Sequence, residues 1–258
     1  MRLDRLRASM TEKSRLFGLF CCSYSVQAVE AIADSGYEFL IFDTEHCPND
    51  FINLHAQLLA LAASQTAAVV RTNGVDSAQI KKLLDLGVHA LMVPNIETAD
   101  QAQAVVDCCR YAPAGRRGVA GSVRALSYGR DKLLPGQAPA GPVIMVQAES
   151  RSALRAIDAI AEVDGVDVVF FGPNDLAADM GLLGQPGHPD VVSAITKGIS
   201  QVRSAGKYAG VLASEHACGP YFEAGANMVA LGSEIGLLVA GADSLRQRVT
   251  RYDALCLS

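Results

Sequence analysis

The 258-residue sequence has no tryptophan, and only 6% of its residues are aromatic. That leaves few rings for a base-stacking platform. It has no block of basic residues, and its formal net charge is −5. Both facts argue against nucleic acid or an anionic membrane as a partner. No apolar run approaches the length needed to span a bilayer. The opening MRLDRLRASMTEKSR is amphipathic and polar and lacks the apolar centre of a signal peptide, so a polar N-terminal extension of about 15 residues and a cytoplasmic location are expected. No CxxC occurs among the seven cysteines, and Cys21-Cys22 and Cys108-Cys109 are adjacent pairs. An odd number so arranged is neither a disulfide framework nor a zinc-finger set, and reduced, mostly buried thiols are expected. Cys47 follows His46, but neighbours in an extended stretch point apart and His55 falls on the next helix, which disfavours a nucleophile there.

What the chain does have is alternation. Strand-like runs fall at Leu16 to Cys22, Glu38 to Asp43, Ala67 to Arg71, His89 to Val93, Val143 to Gln147, Val166 to Phe171, Lys207 to Leu212 and Asn227 to Leu231. Helix-like runs separate them: Ser25 to Ser35, Asn49 or Asp50 to about Ala63, Ser77 to Leu86, Thr98 to Arg110, Ser150 to Ala161, a short helix after Asn174 with a longer one from Asp190 to Ala205, and Glu215 to Gly225. A last helix runs from Ser233 to about Tyr252. Eight βα units, each of roughly 25 to 35 residues, match parallel strands with helical crossovers. The expected fold is therefore α/β, a single-domain (β/α)8 TIM barrel over residues 1–258. An open doubly wound sheet would carry a glycine-rich turn after its first strand, and CCSYS has no glycine. The irregular stretch Tyr111 to Gly141 is long enough to expect a function for it. The last helix, with IGLLVAGADSL, can pack on a neighbouring subunit or on its own barrel.

In such a barrel the site lies at the C-terminal ends of the strands. Asp43-Thr44-Glu45-His46, Arg71, Gln147-Ala148-Glu149 and Gly172-Pro173-Asn174-Asp175 all fall there. Asn174 or Asp175 can simply cap the helix after strand six; alternatively Asp175 is a ligand. Two carboxylates, Glu149 and Asp175, without a cysteine ligand suit a hard divalent cation, Mg2+ or Mn2+. Arg71 suits a carboxylate or a developing enolate oxygen, and His46 suits a general base. None of the six lysines, Lys13, Lys81, Lys82, Lys132, Lys197 and Lys207, is placed at the strand ends for imine chemistry. Any carbon–carbon chemistry should then need a metal.

The segments FDTEHCPND, IKKLLDLGVHALMVPNIETADQAQ, RYAPAGRRGV, VQAES and FFGPNDLAADMG resemble the HpcH/HpaI aldolase family, from about Phe17 to Gly232. The resemblance implies a class II pyruvate aldolase acting on a small 4-hydroxy-2-oxo acid, which yields pyruvate and an aldehyde. It implies a divalent metal on Glu149 and Asp175, with Co2+ an option beside Mg2+ and Mn2+. It further implies a base His46 paired with Asp85, an enolate-stabilising Arg71, Gln147 beside the metal, and a pyruvate carboxylate held by the backbone at Gly172, Pro173 and Asn174. It also implies a homo-oligomer, a hexamer built as a trimer of dimers with the C-terminal helix at an interface. Thr44, Ala148 and the Trp-free end of strand one (Phe20-Cys21-Cys22) depart from the family pattern, and they leave the aldehyde partner open. Relatives that condense an acetyl thioester with oxaloacetate to form citrate in siderophore pathways are the alternative reading.

Overall fold

The computed structural model describes residues 5–132 and 141–256; of the long loop, residues 133–140 lie outside the described residues. Eight strands run β1 (Leu16–Cys21), β2 (Phe39–Asp43), β3 (Ala67–Arg71), β4 (Ala90–Val93), β5 (Val143–Ala148), β6 (Val168–Phe171), β7 (Tyr208–Leu212) and β8 (Met228–Ser233). All neighbours are parallel, and β8 pairs with β1 to close the barrel. The crossovers carry α2 (Val26–Ile32), α3 (Phe51–Ala60), α4 (Ser77–Leu86), α5 (Ala99–Cys109), α6 (Arg151–Arg155), α7 (Ile157–Glu162), α8 (Pro173–Asp179), α9 (Pro189–Ser204) and α10 (Gly219–Glu223), ahead of a final α11 (Glu234–Cys256).

The helices begin where short polar side chains take up the free N–H groups of a first turn. Ser25, Asp50, Asp76, Thr98 and Ser150 each accept from an N–H two or three residues on, at 2.8–3.2 Å. The expected helix over Ser150 to Ala161 breaks in two at Ala156, whose N–H is shared between the carbonyls of Ser152 and Ala153. That tightened turn stops the α-helical run. The helix expected from Glu215 starts only at Gly219, with Pro220 in its first turn, where a missing N–H costs nothing. β6 starts at Val168 because Val166 is still in a turn, its N–H bonded to the Val163 carbonyl after Gly165 at φ +103°.

Residues alternate along each strand between two cores. One lies between the barrel and its helices and includes Leu40, Phe42, Val70, Leu91 and Phe171. The other fills the barrel with Leu16, Phe20, Phe39, Ile41, Val69, Met92, Met145, Phe170 and Met228. Phenylalanines fit inside because glycines face them. A Cβ on Gly18 would meet the Phe39 ring at 2.3 Å, and one on Gly210 would meet the Phe170 ring at 2.4 Å.

The opening segment, amphipathic in sequence, packs on the barrel. It holds α1 (Arg5–Glu12), which lays Leu6 (0% exposed) and Met10 across the N-terminal end of the barrel. The helical spacing of four between them puts both on one face. Arg7 ties the helix to Asp167 at 2.7 and 3.0 Å, Arg5 donates to the Ser64 carbonyl, and the Tyr208 hydroxyl donates to the Met10 carbonyl at 2.6 Å. Lys207 lies at this same end, donating to the carbonyls of Val163 and Val166, well away from the strand C-termini. Leu6→Ala should cost about 2–5 kcal/mol of stability in urea unfolding, as for other buried leucines. Turnover per folded molecule should stay unchanged, since α1 closes the face opposite the cavity described next.

Candidate active site

Inward-facing strand residues continue the period of two out of the barrel. Beyond Phe20, Ile41, Val69, Met145, Phe170 and Ala230 come Cys22, Asp43, Arg71, Gln147, Gly172 and Gly232. All six line a cavity of about 420 Å³ at the C-terminal end, joined by His46, Cys47, Pro173, Asn174 and Asp175.

Arg71 is the centre of this cavity. It donates Nε and Nη2 to the two carboxylate oxygens of Asp43 at 2.9 and 2.8 Å, and its Nη1 lies 3.2 Å from Glu45 Oε2. The Phe20 ring covers the guanidinium at 5.0 Å. Burial pushes the Asp43 carboxyl up, but the Arg71 bonds outweigh it and hold the carboxyl below its usual range. Burial works against the Arg71 charge too, and Asp43 more than restores it. Asp43 Oδ1 also accepts the N–H groups of Glu45 and His46, at 3.0 and 3.4 Å. One carboxylate therefore shapes both the arginine and the loop that carries His46. The His46 side chain is 64% exposed, and its Nε2 lies 3.7 Å from Glu45 Oε2.

Glu149 sits behind the cavity wall, 6% exposed. It accepts the Asn95 N–H at 2.8 Å and the Gln147 amide at 3.1 Å. Burial pushes its carboxyl up to about 7, and the charges of Asp175 and Glu45 add to the rise. Asp175 and Glu45 thus lie close enough for their charges to reach Glu149, with Arg71 opposing them.

A hard cation fits this corner on three observations. The Gln147 Oε1 acceptor is buried with no hydrogen-bond partner. Gly172 leaves space that a Cβ would fill, at 2.5 Å from Glu149 Oε2. The donors of Glu149, Asp175 and Gln147 are all oxygens, as Mg2+ and Mn2+ prefer. Asp175 is free for this role, because the cap of α8 is Gly172, with Pro173 in its first turn. The alternative of Asn174 or Asp175 as the N-cap does not hold.

A pH dependence follows. A carboxyl whose folded pKa is raised stabilises the fold only while protonated, and that stability is lost as pH climbs from about 4.5 through about 7. Chelated protein should therefore lose melting temperature across that window, and Glu149→Gln should flatten the loss. A thermal melt series at pH 5, 6, 7 and 8 measures it.

Asp85 stands apart from the other expected site residues. Within this chain it does not meet His46; it lies 3.4 Å from Arg117 Nη2, beside a separate cavity of about 380 Å³ with Phe51, His55 and Arg124. Glu45 is the carboxylate beside His46. Burial and Asp43 push the Cys47 thiol up to about 12, which disfavours the thiolate a nucleophile needs. Asp43, Glu45 and Asn95 were not among the residues expected from the sequence. Asp43 and Glu45 were visible as acids at the end of strand two, and the inward parity of Asp43 marks it. Asn95, at φ +58°, donates its backbone N–H to Glu149 and its side-chain amide to Glu45 Oε1 at 3.3 Å, and nothing in the strand pattern marks it.

The profile of the HpcH/HpaI aldolase/citrate lyase family matches residues 16–240. A 4-hydroxy-2-oxo-heptane-1,7-dioate aldolase from Klebsiella pneumoniae is 42% identical over 96% of this chain and 92% of its own length. A pyruvate aldolase from Rhizobium etli is 39% identical, covering 95% of each chain. Among solved structures, an HpcH/HpaI aldolase/citrate lyase family protein from Burkholderia cenocepacia superposes with a TM-score of 0.91 at 35% identity, over 96% of this chain and 99% of that one. A citrate synthase shares the fold, with a TM-score of 0.83 at 24% identity over 96% and 98% of the two chains. This chain belongs to the HpcH/HpaI aldolase/citrate lyase family.

Proposed function

We propose that the protein is a metal-dependent class II aldolase, which cleaves or forms the bond between pyruvate and an aldehyde in a 4-hydroxy-2-oxo acid. The observation that carries this reading is the meeting of Arg71, His46, Gln147 and Asp175 in one cavity, with Glu149 bonded to Gln147 behind its wall. Relatives named as aldolases at about 40% identity support it.

Glu149 and Asp175, with Gln147 Oε1, would hold the divalent cation, Mg2+, Mn2+ or Co2+. When bound, it supplies Lewis-acid polarisation of the 2-oxo group. Arg71, held bidentate by Asp43, presents Nη1 to the negative charge that develops on the enolate oxygen. The substrate carboxylate is held by the N–H groups of Asn174 and Asp175, which the first turn of α8 leaves without helical acceptors; Pro173 has none to give. His46 takes the 4-hydroxyl proton as the C3–C4 bond breaks, with the Glu45 carboxylate 3.7 Å from its Nε2.

No helix among the described residues is long and apolar enough to cross a membrane. The described cysteines are free thiols, in keeping with a cytoplasmic location. We also assign a homo-oligomer, in line with the trimer of dimers that the family resemblance implies. α11 leaves Leu237 (52%), Leu238 (66%), Val239 (55%) and Leu245 (56%) exposed, which supports a subunit contact there.

The test is turnover of pyruvate with a panel of aldehydes, before and after chelation, with Mg2+, Mn2+ and Co2+ added back. Metal-dependent product, lost in His46→Ala, is expected. No product with any aldehyde or metal would overturn the aldolase reading, and citrate formed from acetyl-CoA and oxaloacetate would replace it.

A further inference from the structure

We propose that Cys22, Cys47 and Asp43 form a second cation site in the cavity wall, one that selects a thiophilic ion such as Cd2+ or Zn2+. The three residues come from two places in the chain. Cys22 follows β1 with inward parity, Asp43 ends β2, and Cys47 lies in the loop that β2 feeds. One ligand atom from each falls within 4.8 Å of the other two. The Cys47 thiol already donates to Asp43 Oδ2 at 3.5 Å. Both cysteines are half-buried, and both line the open cavity, so an ion has a way in.

The donor set separates this place from the oxygen corner at Glu149. Two soft sulfurs beside one carboxylate oxygen suit tetrahedral d10 ions, and the cavity leaves a fourth position for water. Charge supports the same conclusion. Asp43 and Arg71 balance each other with both thiols protonated. On binding, the cation forms two metal–sulfur bonds, and the two S–H protons leave for solvent. The divalent charge then meets two thiolates, so the site stays neutral in total. The cation takes the position of the Cys47 S–H against Asp43 Oδ2, while the Arg71 bonds to Asp43 at 2.9 and 2.8 Å can remain. Burial and nearby carboxylates hold both thiols protonated without a cation, which makes proton release a measurable mark of occupancy.

The experiment titrates chelated full-length protein with Cd2+. It follows ultraviolet thiolate-to-cadmium absorption and proton release in weak buffer. In Glu149→Gln protein, whose oxygen corner is disabled, one Cd2+ per chain with two protons released is expected. Cys22→Ser and Cys47→Ser should each weaken the apparent affinity at least about tenfold, and the double variant should lose the absorption. Glu149→Gln and Cys218→Ser should leave it intact. Circular dichroism checks each variant's fold, and Cys47→Ala repeats the test should the serine form unfold. An unchanged band in the double variant, or a band lost in Cys218→Ser, would overturn the site. None of these readouts needs aldolase turnover, so the proposal stands or falls apart from the function.

Discussion

Glu149→Gln should lower metal-dependent aldol turnover by about a thousandfold, in the range for losing a group that stabilises developing charge. The substitution is nearly isosteric. A glutamine carbonyl can still accept the Asn95 N–H, which now bonds Glu149 at 2.8 Å. What disappears is the negative charge, and that charge is costly without a cation, since burial, Asp175 and Glu45 together push the carboxyl to about 7. Chelated Glu149→Gln protein should therefore melt no lower than wild type at pH 8, while Mg2+ or Mn2+ should no longer raise its melting temperature. Opposite changes in function and stability separate a lost ligand from a damaged fold. Turnover within tenfold of wild type would remove Glu149 from the metal site.

Arg71→Ala should fail in both respects. Its side chain is 11% exposed and that of Asp43 only 2%, so removing the guanidinium strands a carboxylate inside the protein. Breaking a buried pair in this way costs about 3–5 kcal/mol. Asp43 would also be left to choose new partners, and the Glu45 and His46 N–H groups it now accepts would shift with it. Activity should drop beyond the enolate effect alone. Arg71→Ala paired with Asp43→Asn tests the stability part, since neutralising Asp43 should restore much of the lost stability without restoring turnover. Denaturant unfolding of the two variants decides it. Arg71→Lys keeps the charge but not the two-point bond, and should fall between.

The barrel and most of its mouth were readable from the chain because both follow from a period of two and from helix caps. Arg71, Gln147 and Gly172 stand two residues beyond buried positions of their own strands, so parity alone aims them inward. Asp50, Asp76, Thr98 and Ser150 announced their helices. Contacts between distant segments left no such trace. Nothing in MRLDRLRASM says that Leu6 and Met10 close a barrel, because an apolar pair four apart serves any buried face. Asn95 holds Glu149 from the end of β4 through an N–H that every residue but proline has. Arg117 meets Asp85 on α4 from a loop more than thirty residues further along the chain, a contact that local patterns do not encode.

α11 is held at one end only. Glu234 is buried and accepts the N–H groups of Cys22 and Ser23 at 2.9 and 2.7 Å, along with the Ser23 hydroxyl at 2.6 Å. From there the helix runs 23 residues, about 34 Å, and Leu237, Leu238, Val239, Leu245 and Val249 along it are uncovered by the described residues. Such a helix contributes little to folding until something covers it. Mass action then enters the stability of the whole molecule: if a second copy is the cover, dilution should lower the melting temperature with no change of sequence or buffer. Because Glu234 grips the turn after β1, fraying of α11 on dilution would loosen Cys22 and the cavity wall along with it.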